Sequence, residues 1–158
     1  CRDGEVCSLR WDWEIDVPEL GTAVFLIPGE KVKNREDRLV VLNRVAKSVV
    51  EGVRGQHPER VFTYYGRPVR SINNNGWKSV RRKLGMPIRV HDLKHTCGRR
   101  LRSAGVSLET RKLLLGHKNG DITTHYSAAE IGELIAATNR ICAAKGTPSI
   151  TLLRVANG

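Results

Sequence analysis

The spacing of apolar and polar residues changes once along the chain. In the N-terminal part, short apolar stretches with a period of two predict strands at "WEIDV", "TAVFLI" and "DRLVVL", separated by Pro, Gly and polar turns. From Asn43 onward the period becomes 3.6, which predicts helices up to the end of the chain. The pattern indicates an α+β fold that is mainly α-helical, with helices around a small antiparallel three-stranded sheet.

Capping residues predict where the helices begin and end. The opening stretch "CRDGEVCSLRW" is expected to be the end of a helix. Asn43, Ser71 and Ser107 are the expected N-caps of three later helices, and Gly116 is expected to end the last of these in the left-handed conformation. A final amphipathic helix is predicted within "AAEIGELIAATNRICAA", with Ile131, Leu134, Ile135 and Ile141 on its apolar side.

The helix predicted over residues 91–105 carries two different faces. Its apolar stripe consists of Leu93, Cys97, Leu101 and Ala104. His91, Lys94 and His95 lie at positions i, i+3 and i+4 and share another face. Two histidines one turn apart can bind zinc, with His117 or His125 as a third ligand. The ammonium group of Lys94 on the same face would repel a metal ion, so zinc is kept only as a minor alternative.

The charge of the chain indicates a polyanionic partner. The 158 residues include 27 Lys and Arg against 16 Asp and Glu, a formal net charge of +11, and the basic residues are spread along the sequence. This distribution favours a folded basic surface in a single domain. No apolar run approaches the roughly 20 residues of a membrane-spanning helix, and no signal peptide opens the chain, so nucleic acid is favoured over a membrane. Four cysteines without metal or disulfide spacing suggest reduced thiols of an intracellular protein.

Cleavage of a phosphodiester would require the negative charge of the transition state to be neutralised by metal ions or by fixed cations. The clustered carboxylates Asp12, Glu14 and Asp16 lie where a solvated strand face would be acidic, so the metal route is disfavoured. The metal-free route needs cations and a nucleophile. Arg2 with Glu5, the "HDLKHT" cluster, and a segment ending in Tyr126 supply them. A tyrosine that attacks phosphorus keeps the bond energy as a phosphotyrosine for religation. No cofactor is expected.

Four segments, in order, resemble the successive boxes of the catalytic domain of tyrosine recombinases, the phage-integrase family. They are "CRDGEVCSLRW", "VKNREDRLVVL", "RVHDLKHT" and "LLGHKNGDITTHY", and the resemblance runs from Arg2 to about Ala129. It implies that residues 1–158 are a C-terminal catalytic domain of the DNA breaking-rejoining type, truncated at its N-terminus and without the core-binding domain. The implied activity is site-specific DNA recombination, integration or excision, through a covalent 3′-phosphotyrosyl intermediate. A chain that opens inside a predicted helix is expected to be a fragment of a longer protein.

The resemblance also implies a role for individual residues. Arg2 corresponds to the first catalytic arginine of the family, and Glu5 corresponds to the acidic residue that supports the site. Lys33 corresponds to the general acid for the leaving 5′ oxygen, and Tyr126 corresponds to the nucleophile. His91 corresponds to the histidine of a His-x-x-Arg box, and His117 corresponds to the histidine or tryptophan after "LG". Lys31 competes with Lys33, because both point to the same strand face. Lys94 stands where the family has arginine, and a lysine keeps the charge but loses the planar fork. A catalytically impaired DNA-binding domain and a type IB topoisomerase are therefore the alternatives.

The partners implied by the resemblance are double-stranded DNA and further copies of the chain. A homotetramer on DNA, a monomer or weak oligomer without DNA, and a location in the cytoplasm of a bacterium or phage-infected cell are expected. Residues 127–158 are expected to form a C-terminal helix and tail with a second apolar patch at Ile150, Leu152, Leu153 and Val155. This segment is predicted to dock either on its own domain or on a neighbouring protomer.

Overall fold

The structure, a computed structural model, describes residues 1–117 and 126–143. In this part of the chain β1 (Glu14–Val17), β2 (Thr22–Ile27) and β3 (Arg38–Val40) form an antiparallel sheet in the order β1-β2-β3. Phe25 of β2 lies opposite Glu14 on one side and Val40 on the other. The predicted three-stranded sheet is confirmed. The hairpin of β4 (Thr63–Tyr64) and β5 (Arg67–Pro68) was not predicted, since two-residue strands carry almost no periodic signal.

Six helices accompany the sheet within the described ranges, which confirms a mainly α-helical α+β fold. They are α1 (Asp3–Cys7), α2 (Arg44–Glu51), α3 (Asn75–Lys83), α4 (Val90–Ser103), α5 (Leu108–Leu115) and α6 (Ala128–Ala143). Short 3₁₀ turns flank the strands at Trp11–Trp13, Pro18–Leu20 and Gly29–Lys31. None of the described helices combines the length and the apolar character needed to cross a membrane.

The helix ends follow the predicted caps with one exception. The side chains of Asn43 and Ser107 accept hydrogen bonds from Ala46 N and Thr110 N, and Gly116 ends α5 with a φ of 61°. The prediction that Ser71 caps α3 is wrong, because Asn74 is the N-cap and accepts from Trp77 N. The Ser71 hydroxyl instead donates to Asp3 Oδ2 at 2.6 Å, a long-range contact that local spacing does not reveal.

Apolar side chains from the sheet and the helices form the core. Phe25 and Ile27 of β2 are fully buried with Leu9 and Val61, and each such burial stabilises the fold by about 1.5–3 kcal/mol. Helix α6 packs Ile131 against Val17 and Val24 of the sheet, and its Ala137 contacts Leu101 of α4. The predicted apolar side of α6 is confirmed.

Two apolar residues of the predicted strand and helix are largely exposed. Ile15 of the edge strand β1 is 46% exposed, so the alternation along that strand does not bury all of its apolar positions. Leu93 is 45% exposed because it lines an open cleft at the start of α4, and the buried stripe of that helix begins at Cys97.

Candidate active site

A cleft of about 1090 Å³ opens between α1, α3 and the first turns of α4. Three of the predicted site residues, Arg2, His91 and Lys94, line this cleft. Its basic side chains are Arg2, Lys78, Arg81, Arg82, Arg89 and Lys94, whereas Asp3 supplies the carboxylate among the described lining residues. A concave surface with this excess of positive charge attracts a polyanion.

Hydrogen bonds from α1 hold the walls of the cleft in place. Asp3 accepts from Ser71 Oγ at 2.6 Å and from Ile72 N at 2.7 Å, which ties the segment before α3 to α1. Burial alone would raise the pKa of Asp3, but the hydrogen bonds from Ser71 and Ile72 outweigh it and lower that pKa. At the other end of α3, Arg81 Nη1 donates to Ile88 O at 2.9 Å. The basic helix α3 is thus fixed beside Arg2 and the start of α4.

Glu5 is the centre of a buried charge cluster beneath the cleft. Its carboxylate is 3% exposed and accepts from Arg2 N at 2.8 Å and from Arg2 Nη1 at 2.9 Å. Arg38 Nε lies 3.3 Å from Glu5 Oε2 as an ion pair, although it is not aligned as a hydrogen bond. Burial would raise the pKa of Glu5, but the Arg2 N–H and the charge of Arg38 keep it below its ordinary value. Glu5 is therefore an anion that orients Arg2.

Arg38 is a site residue that the sequence reasoning missed. Its side chain is 6% exposed, an unusual position for an arginine. Because residues two apart on a strand share a face, Arg38 lies on the same face of β3 as Val40, which packs on the core. That alternation was the available signal that Arg38 points inward.

Lys94 and His117 both respond to these arginines. Burial, followed by the charges of Arg2 and Arg38, lowers the pKa of the half-buried Lys94. Burial also lowers the pKa of His117, and the charges of Lys94, Arg2 and Arg38 lower it further. The His117 imidazole is therefore neutral at neutral pH. Arg2, Arg38, Lys94 and His117 form one electrostatic cluster.

The two histidines of "HDLKHT" contact each other at the start of α4. The rings of His91 and His95 meet edge to face with centroids 4.6 Å apart, and both side chains are exposed. Asp92 accepts from Arg89 N at 2.8 Å and so caps the first turn. No group of three or more metal-ligating side chains is found within residues 1–117 and 126–143. His125, the alternative third zinc ligand, lies outside the described residues.

Tyr126 does not line the basic cleft. The half-buried ring packs against Val17, Val24 and Ile131, and burial, with a contribution from Glu130, raises the pKa of the phenol. Tyr126 lines a small cavity of about 40 Å³ together with Asn34, Arg38 and His117. The structure thus places the predicted nucleophile beside His117 and the buried arginine.

Lys33 lies apart from the basic cleft on the exposed loop between β2 and β3. Its neighbour Asn34 lines the small cavity that contains Tyr126 and His117. Lys31 Nζ is paired with Glu30 Oε1 at 3.2 Å. Of the two competing lysines, Lys33 is the one whose neighbour in sequence, Asn34, lines the Tyr126 cavity.

The acidic side chains of β1 and its flank make ion pairs with arginines. Asp12 binds Arg10 at 2.8 Å, and Glu14 binds Arg54 at 2.7 Å. Asp12 and Asp16 are exposed, as expected of a solvated strand face, whereas the Glu14 side chain is 16% exposed and mostly covered.

Comparisons with known proteins converge on one family. The sequence model of the "Phage integrase family" matches residues 1–132. A protein of Sinorhizobium fredii (strain NBRC 101917 / NGR234) named "Putative integrase/recombinase y4qK" is 38% identical over 61 residues. That alignment covers 39% of this chain and 18% of the relative, so the chain spans far less than the whole of the protein it matches. No solved structure matches the chain with statistical significance.

Proposed function

The chain belongs to the phage integrase family, and from this premise we propose that it is the catalytic part of a tyrosine recombinase that cuts and rejoins double-stranded DNA. The proposal rests on one observation, a buried charge cluster that connects the basic cleft to the cavity of Tyr126. Arg2 and Lys94 line a basic cleft that fits a DNA backbone, and the cluster beneath them extends through Arg38 to His117 and Tyr126. Metal-free phosphoryl transfer requires phosphate-binding cations and a nucleophile that reach the same phosphate.

In the proposed reaction the fork of Arg2, held by Glu5, binds the nonbridging oxygens of the scissile phosphate, with His91, Lys94 and His117 as further donors. Tyr126 Oη attacks phosphorus, and the bond between phosphorus and the 5′ oxygen breaks. The phenolic proton passes to a basic group, for which the neutral imidazole of His117 is available. Lys33 donates a proton to the leaving 5′ oxygen. The product is a 3′-phosphotyrosyl link and a free 5′ hydroxyl, and reversal of these steps rejoins a strand.

Lys94 determines how well this clamp works. An ammonium binds one phosphate oxygen as a point charge, where arginine would bind two. This observation favours a second candidate function, a DNA-binding integrase-like domain with impaired catalysis.

The proposed partners follow from the same chemistry. Double-stranded DNA binds in the cleft, and a homotetramer assembled on DNA performs strand exchange in the cytoplasm of a bacterium or phage-infected cell. The tail predicted to dock on its own domain or on a neighbouring protomer includes residues 144–158, which lie outside the described residues.

A covalent trap tests the proposal. The protein is incubated with a pool of short duplexes of randomised sequence that carry a nick, so that a cleaved strand end diffuses away and religation fails. Wild-type protein is expected to form an adduct that resists detergent and disappears on proteolysis, whereas Tyr126→Phe should form none. Lys94→Arg is tested beside them. An adduct with Lys94→Arg alone would support the impaired domain, and no adduct from either protein would contradict the proposed enzyme.

A further inference from the structure

The end of α5 that presents His117 leaves carbonyl groups without partners in its own helix. Gly116 N donates to Leu113 O at 3.1 Å and His117 N donates to Lys112 O at 3.0 Å, as in a Schellman motif. The other carbonyls of the last turn accept no hydrogen bond from within the helix. One of these carbonyls, Leu114 O, accepts a hydrogen bond from Arg38 Nη2 at 3.1 Å. A cation at this end also suits the negative pole of the helix dipole.

Gly116 lets the guanidinium come this close. A Cβ at this position would overlap Arg38 Nη1, and the φ of 61° is itself a left-handed conformation that favours glycine. The guanidinium therefore lies against the backbone that immediately precedes His117. Its other side faces the Glu5 carboxylate, which also holds Arg2.

We propose that Arg38 is a positioning residue that joins the two halves of the site, because its guanidinium links the Glu5–Arg2 pair of the phosphate clamp to the helix end that carries His117. Its side chain is 6% exposed and does not line the basic cleft, so it is not a DNA contact in that cleft. One rigid fork fixes the distance between Arg2 and His117, so both reach the same phosphate. The catalytic part of this inference rests on the proposed function.

The main test is Arg38→Lys. Lysine keeps the charge opposite Glu5, so the fold should be retained, but it lacks the fork that reaches Glu5 and Leu114 O together. Arg44→Lys is the matched control, because Arg44 Nη2 makes the same kind of bond to Cys142 O of α6, away from the site. The amide exchange rates of Gly116 and His117, measured by NMR on the free protein, should rise roughly tenfold in Arg38→Lys and stay unchanged in Arg44→Lys.

Single-turnover adduct formation supplies the second readout. Because a misplaced catalytic group can cost about 100-fold, Arg38→Lys should slow adduct formation by about that factor. DNA affinity should stay close to the wild-type value, since Arg38 is not part of the DNA surface. Gly116→Ala should give the same slow adduct formation. Gly105→Ala provides its control, because Gly105 has a φ of 72° with open space around it, so it adds the same backbone strain without the collision.

The outcomes separate the two proposals. Failure of wild-type protein to form an adduct counts against the proposed function, whereas the exchange rates of the free protein still decide whether Arg38 holds the His117 segment. The inference is overturned if Arg38→Lys leaves exchange at Gly116 and His117 unchanged. It is also overturned if Arg38→Lys and Gly116→Ala form adduct as fast as Arg44→Lys and Gly105→Ala.

Discussion

Removing the charge of Glu5 should destabilise the protein more than any exposed carboxylate change. Glu5→Gln keeps the shape of the side chain but leaves Arg38, which is 6% exposed, without its counter-ion. Loss of one partner from a buried ion pair costs about 3–5 kcal/mol. Arg2 is 33% exposed and water can partly solvate it, so we expect the lower end of that range, about 3 kcal/mol. For a domain of this size that loss corresponds to a fall in Tm of roughly 6–12 °C.

The stabilising contribution of Glu5 depends on pH. The folded-state pKa of Glu5 lies below its ordinary value, so its stabilising contribution is present above the ordinary glutamate pKa of about 4.3 and is lost as pH falls through the folded value. The difference in unfolding free energy between wild type and Glu5→Gln should be complete at pH 7 and narrow below about pH 4. Urea unfolding followed by circular dichroism, at pH 7 and below about pH 4, measures this difference in unfolding free energy.

Glu59→Gln is the control for this experiment. Glu59 pairs with Arg10 at 3.2 Å on the surface, where its side chain is 62% exposed, so its loss should be barely measurable. Equal destabilisation by the two variants would refute the reasoning, as would a difference between wild type and Glu5→Gln that widens on acidification.

Three further predictions concern the site itself. Lys94→Ala should slow adduct formation by about 100-fold through loss of a donor to the phosphate, whereas Lys94→Arg should match or exceed wild type; equal rates for both variants would contradict a phosphate contact. Lys33→Ala should cleave DNA roughly 10²–10⁴ times more slowly than wild type. Its cleavage rate should recover on DNA with sulfur in place of the scissile 5′ oxygen, because a thiolate leaves without a proton. Recovery of the rate by Lys31→Ala instead would identify Lys31 as the general acid. The logarithm of DNA affinity should fall linearly with the logarithm of salt concentration. Arg82→Gln in the cleft should reduce that slope by about 0.9 and Arg67→Gln on the β4–β5 hairpin should not, so equal slopes would argue against the cleft as the DNA surface.

Local pattern was enough to predict much of the fold. Alternation gave the sheet, and the caps Asn43, Ser107 and Gly116 were right because each acts within a few residues of its own helix. Ser71 was assigned wrongly because α3 begins only at Asn75, with Asn74 as its N-cap. The Ser71 hydroxyl accepts from Asn73 N in a local turn and donates to Asp3, and this second, long-range contact leaves no trace in local spacing.

The same limit applies to the site. Resemblance to family boxes selected Arg2, His91 and Lys94, which the structure brings to one cleft, and their catalytic roles stay predictions. The link between Glu5 and Arg38 could not be predicted, because it joins α1 to β3 and appears only when the chain folds. An inward-facing arginine on a strand was the one hint, and it indicates burial without naming the partner.

Tyr126 is proposed to become covalently joined to DNA, and mapping the adduct shows which residue carries the nucleotide. Trypsin should release residues 119–140 as one peptide, with Tyr126 as its single tyrosine, whereas Tyr64 and Tyr65 fall in the peptide of residues 61–70, because trypsin does not cleave between Arg67 and Pro68. After nuclease digestion of trapped complexes, mass spectrometry should find the nucleotide on the peptide of residues 119–140, joined through a 3′ phosphate. A nucleotide on the peptide of residues 61–70, or a 5′ linkage, would contradict a 3′-phosphotyrosyl bond at Tyr126.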